Sequence, residues 1–204
     1  MAKVRRSREL TAPADYSAAL DSADTFYALG TYFLPRVTPE IPEGTFRGAP
    51  PGLGEMVGSA TNLSFALELY IKALLIRLRL PVPHRHNLRT LYGGLPGRTR
   101  REIERRYDAF LRTVPKHIPA AISIAKGPAT APGWGDYSRV GHDLTSVLRR
   151  SHDTFDSWRY IFEYKPPPGV KYQSHQFEYL LLTLACQAIK GHIEEIKETT
   201  REET

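Results

Sequence analysis

Between Met56 and Leu80 the apolar residues Leu63, Ala66, Leu67, Tyr70, Ile71, Leu74 and Leu78 recur at three- and four-residue steps. That period belongs to an α-helix, and a stripe this wide must be covered by other parts of the chain. Glu68 and Lys72 stand four apart, in the order that favours an ion pair along one helix face. The PVP run at 81–83 ends the pattern, because proline has no amide hydrogen to donate and its ring crowds the preceding turn. A chain carrying this segment needs other amphipathic helices to bury it.

The sequence supplies them. From Asp15 to Leu34, Tyr16, Leu20, Ala23, Tyr27 and Phe33 or Leu34 keep helical spacing, with Asp21 and Asp24 on the opposite side and Pro35 as the stop. The following PRVTPEIPEGTFRGAPPGLG is too rich in Pro and Gly for regular helix and longer than most helix–helix connections. His86 or Asn87 can cap a short LRTLY helix closed by Gly93 and Gly94. Thr99 to Val114 reads as a helix with Ile103, Tyr107, Phe110, Leu111 and Val114 inward and its arginines outward. Ile118 to Lys126 is ambiguous and reads as at most one short helix, before the long loop GPATAPGWGDYSRVGH. Asp143 to Tyr164 reads as one long helix carrying Leu144, Val147, Leu148, Phe155, Trp158, Ile161 and Phe162, ended by PPPG at 166–169. A last helix runs from Gln176 to Lys197 behind Ser174 as N-cap, with Phe177, Leu180, Leu181, Leu184, Ala188 and Ile193 as its stripe. No strand-like alternation and no internal repeat stand out. The expected class is all-α, an up-and-down bundle of four long helices plus one or two short helices. It should occupy residues 15–197, between a basic N-terminal tail (1–14) and a charged C-terminal tail (198–204).

Composition narrows the setting. The 204 residues are 41% hydrophobic and 25% charged, which suits a globular domain and excludes disordered or fibrous classes. The single cysteine cannot form an intramolecular disulfide. Cys186 lies in the apolar run LLLTLACQAI, where it reads as a small buried hydrophobe, and a reduced, cytoplasmic location is expected. The start is basic but meets acids where a signal peptide needs apolar residues. The apolar run Phe177–Ile189 contains Glu178 and falls short of the ~20 residues that cross a bilayer. Neither export nor membrane insertion is expected. A net charge of +6 permits an anionic partner. Arg5, Arg6 and Arg8 crowd the start; Arg98, Arg100, Arg101, Arg105, Arg106 and Arg112 crowd the middle; Glu194, Glu195, Glu198, Glu202 and Glu203 make the end acidic.

Three constellations carry chemistry. In the late helix, Arg149, His152, Asp156, Arg159 and Glu163 repeat at three- and four-residue steps, so they make one polar stripe beside Phe155, Trp158 and Phe162. Two readings fit. One is a ladder of surface ion pairs. The other is a groove in which His152 transfers protons, Arg159 stabilises phosphorane-like charge and Glu163 assists. Arg159 has a further structural option, half-buried and paired with Glu68 or Glu163. In the middle helix, Arg101, Arg105 and Arg112 share a face that can track a phosphate backbone together with Arg149, although Asp108, Glu102 and Glu104 dilute it. His84 and His86 form a His-x-His pair with no third ligand nearby, so no metal site is expected, and His86 reads as a cap or buttress for LRTLY. There is no Walker-type loop, dinucleotide-binding glycine pattern or nucleophile elbow, and no cofactor is expected.

The segment FALELYIKALLI, followed by HNLRTLYGGLP, resembles the second helix and following turn of HEPN domains. The matching residues are Ala66, Glu68, Lys72, Ala73 and Leu74, then His86, Asn87, Leu88 and Leu91. FDSWRYIFEY is similar to the aromatic-x-x-W-R-Y-x-x-E helix of HEPN-like proteins, and the likeness spans roughly 15–195. The resemblance implies an often dimeric helical bundle of prokaryotic defence, toxin–antitoxin or RNA-processing systems. Many members are metal-independent RNases with Arg, four to six residues, then His on a late helix. This chain departs from that signature: after Arg159 the corresponding positions hold Tyr164, Lys165 and Pro166. Arg79 with His84 or His86, and Arg112 with His117, keep the spacing elsewhere. The expectation is a nucleic-acid- or nucleotide-associated component, with RNA or a nucleotide, a protein partner and a second copy of the chain as its partners. Two alternatives stand beside it. One is an RNase using the displaced pair His152 and Arg159. The other is a protein-interaction module using the Trp158 region and the PPPG loop.

Overall fold

The computed structural model describes residues 13–32, 53–84, 86–114, 122–126, 141–159 and 173–202. Four long helices dominate: α1 (Pro13–Thr31), α2 (Leu53–Arg77), α4 (Gly97–Thr113) and α7 (Tyr179–Glu202). Three short ones accompany them: α3 (Leu88–Gly93), α5 (Leu144–Arg150) and α6 (Thr154–Arg159). The helical-bundle class expected from the apolar periodicity is the class of the structure. To it is added a two-stranded antiparallel ribbon of β1 (Ile122–Lys126) and β2 (Gln173–Phe177), in which Ile122 pairs with Phe177 and Lys126 with Gln173.

α2 lies at the centre, with α1, α6 and α7 packed on it. Ala60, Leu63, Ala66, Leu67, Tyr70, Ile71, Ala73 and Leu74 are wholly buried. Gly54–Arg77 is long and apolar enough to cross a membrane, but 67% of that window is buried inside the protein, as a core helix requires. α7 supplies the facing layer through Leu181, Leu182, Ala185, Cys186, Ala188 and Ile189. Burial pushes the Cys186 thiol well above its ordinary pKa, so it behaves as the inert hydrophobe its context suggests. α4 packs on the far side of α7. Between α1, α2 and α7, Asp24 accepts hydrogen bonds from the Tyr70 hydroxyl and from Lys190 Nζ (2.8 Å). The sequence places Asp24 with Asp21 on the outer side of α1. Asp24 instead serves the helix interface, because Tyr70 is buried and its hydroxyl needs an acceptor.

Four features differ from the sequence expectation. The helix expected over 143–164 is broken: α5 ends at Arg150, a turn covers 151–153, and α6 starts at Thr154. The residues at the break, Ser-His-Asp-Thr, favour capping and turns over helix interiors. The turn leaves the His152 carbonyl free to accept the Leu88 amide, the first of α3 (3.3 Å). The ambiguous 118–126 stretch contains strand β1, and the residues chosen to open the last helix form β2, so α7 starts at Tyr179. α1 ends at Thr31, and Phe33 and Leu34 lie outside the described residues. At the other boundaries local chemistry is decisive: Asn87 caps α3 by accepting the Thr90 amide, and Asp143 caps α5 by accepting that of Ser146.

Candidate nucleic-acid interface

α4 reads GRTRREIERRYDAFLRT, and tertiary packing divides it into two faces. Ile103 and Tyr107 are fully buried; Phe110 and Leu111 pack against the same core. Arg98, Arg101, Arg105 and Arg112 are all exposed. At 100° per residue these four fall within an arc of about 60°, a single ridge on the side away from the core. Asp108 and Glu102 flank the ridge. Glu102 holds Arg105 through two hydrogen bonds and keeps its own carboxyl below the usual range through that contact. Such an exposed pair leaves the guanidinium available to a phosphate, because surface ion pairs contribute little. Arg106, one position on, is committed to structure: it pairs with Glu195 of α7 and stands 3.6 Å from Glu102. Arg101, Arg105 and Arg112 therefore share the face expected of them. Arg149 is exposed at the end of α5, one turn beyond Thr145, whose hydroxyl reaches Glu104 of α4 (3.5 Å).

The late polar stripe is not the single row its spacing implies. His152 lies in the turn between α5 and α6, 44% exposed, with Nδ1 donating to the Arg149 carbonyl (2.9 Å) and 3.9 Å from Asp153. Arg159 is the last residue of α6; its side chain, that of Asp156 and all of Glu163 lie outside the described residues. Trp158, the anchor of the interaction-module reading, is 3% exposed and packs on Phe177, so it belongs to the core. The PPPG loop lies outside the described residues, as do His117, Tyr164, Lys165 and Pro166.

A second cluster joins residues that the sequence kept apart. The Glu68 side chain is 1% exposed and holds two partners: Lys72 Nζ donates to Oε1 (2.6 Å), and His86 Nδ1 lies 2.9 Å from Oε2 and 3.1 Å from Oε1. A carboxylate only accepts, so Nδ1 carries the hydrogen and Nε2 is left outward. The His86 ring stacks on Phe155 with centroids 5.4 Å apart and planes 25° apart. Phe155 in turn packs on Phe65 (5.2 Å), and Phe65 meets Phe26 edge-on (4.6 Å). The helical ion pair was legible; the bond from Glu68 to His86 was not. One signal could have revealed it. Glu68 has Ser64, Ile71 and Leu75 four, three and seven residues away, on the buried face, and a buried carboxylate needs more than one donor. His86 is therefore committed to Glu68, while Asn87 does the capping. Among the described residues no group of three His, Cys, Asp or Glu side chains is placed to hold a metal ion.

A further, half-buried pair is structural: Arg150 Nε donates to Glu178 Oε1 (2.7 Å), and Ser151 adds a longer bond to Oε2 (3.4 Å), tying the end of α5 to the start of α7. Compared with known proteins, this chain matches no family model, no curated protein and no solved structure.

Proposed function

We propose that this chain is an HEPN-like helical bundle that binds nucleic acid, with RNA as the partner class, as a component of a prokaryotic defence or toxin–antitoxin type system. The observation that carries the reading is the ridge of Arg98, Arg101, Arg105 and Arg112 along the outer face of α4. A rigid helix holding four guanidinium groups in one row presents repeated charge to a repeated anion, and a phosphate backbone is such an anion. The net charge of +6 adds long-range attraction. The resemblance supplies the biological setting, through Glu68, Lys72, His86, Asn87 and Leu88. Because Arg159 is not followed by histidine at the family's RNase spacing, the reading is one of binding rather than cleavage.

Binding of a labelled RNA strand measured across a salt series tests it. Each phosphate contact contributes roughly 0.7 to 0.9 to the slope of log affinity against log salt. Exchanging Arg101 and Arg105 for Gln should weaken binding at low salt and flatten the slope by about 1.5. A doubly exchanged protein that keeps both affinity and slope would sink the proposal.

A further inference from the structure

We infer that the exposed face of His86 is a stacking platform for an unpaired nucleobase, so that the bundle prefers single-stranded over duplex nucleic acid. The inference rests on the nucleic-acid reading above and adds a second, chemically distinct contact to it.

The ring is 53% exposed although two of its sides are taken. Phe155 covers one face, and Glu68 holds the Nδ1 edge. Among the described residues, the remaining exposure falls to the opposite face and the Nε2 edge. A flat π-face backed by other aromatic rings, with a hydrogen-bonding edge beside it, matches an unstacked base. The backing is firm. Phe155, Phe65 and Phe26 carry the stack down to the surfaces of α2 and α1, and the buried Glu68 is itself anchored by Lys72. A side chain held in this way loses little freedom when a ligand arrives. Arg89, three residues on in the first turn of α3, is exposed and supplies a cation close by in the chain. The Tyr92 hydroxyl ties α3 to α4 by donating to the Arg100 carbonyl (3.1 Å). In a duplex the base faces are already covered by neighbouring pairs, which is why the platform selects single strands.

The test compares the full chain's affinity for a short fluorescent RNA strand with that for an abasic strand of the same length. The parent should bind the base-bearing strand on the order of tenfold more tightly, the effect of one stacked base. His86→Gln keeps a donor for Glu68 but has no ring, so it should remove this preference and leave abasic binding unchanged. A preference that survives His86→Gln overturns the platform. Equal affinity of the parent for both strands also overturns it, while leaving the arginine ridge standing. Affinity for neither strand overturns both readings.

Discussion

Glu68 illustrates how a single residue is tolerated where its chemistry is unfavourable. An unpaired carboxylate in this position would be destabilising by several kcal/mol. Lys72 and His86 together make its burial acceptable, one by helical spacing and the other by a tertiary contact. Asp24, which is partly exposed, bridges Tyr70 and Lys190, and burial together with that carboxylate drives the Tyr70 hydroxyl far above its ordinary pKa, so that it remains a donor. Gly30 is constrained by space rather than charge. A β-carbon there would lie 2.7 Å from Leu63 Cγ and 2.8 Å from the Leu63 backbone nitrogen. Backbone cannot rotate aside, so α1 and α2 would have to separate. Gly30→Ala should therefore reduce stability by about 1 to 3 kcal/mol despite alanine's better helix propensity. A urea midpoint equal to or above the parent's would count against this close approach.

Helices were legible wherever an apolar stripe was long, as in α2, α4 and α7. Their ends followed local stop signals less regularly. At the close of α2, Arg79 adopts a positive φ of 56°, a conformation glycine usually supplies. The Leu80 amide reaches the Leu75 carbonyl (2.9 Å) and the Arg79 amide reaches that of Ile76 (2.9 Å), completing a Schellman cap before Pro81. Arg79→Gly should raise stability by about 1 kcal/mol, read as an increase in melting temperature. Arg79→Ala, which keeps the strain, should give no such increase. The interrupted late helix shows the opposite limit. Its apolar residues keep helical spacing on both sides of Ser151; the Ser-His-Asp-Thr run permits a turn there, and the bond from the Leu88 amide to the His152 carbonyl fixes it. Strands β1 and β2 were invisible for a related reason. Each is five residues long, and its partner lies about fifty residues away, so neither carries enough local pattern to declare itself.

In the molecule as a whole, the ridge-bearing α4 is held on α7 partly by a charged seam. His192 is 8% exposed beneath it, with Nδ1 3.8 Å from Glu195 Oε2, beyond hydrogen-bond length, and Arg106 bridges Glu195 and Glu102 above. Burial first, and then the Arg106 charge, hold the His192 pKa below its ordinary 6.5, against the opposing pull of Glu195 and Glu102. Unfolded chains therefore take up this proton before folded ones do. The contribution of neutral His192 to stability is complete above about pH 6.5 and declines as pH falls below it. Denaturation at pH 7.5 and 5.5 should show the loss in the parent and a smaller one in His192→Leu; equal losses would exclude His192 as the source. The sequence by itself determined the helical class, the buried face of α2 and the row of Arg101, Arg105 and Arg112 on α4, since each depends on a period repeated within one segment. Only the tertiary structure decided the break at Ser151, the β ribbon and the union of Glu68, His86 and Phe155. Those features depend on partners distant in the chain, and no local period records which distant surfaces will meet.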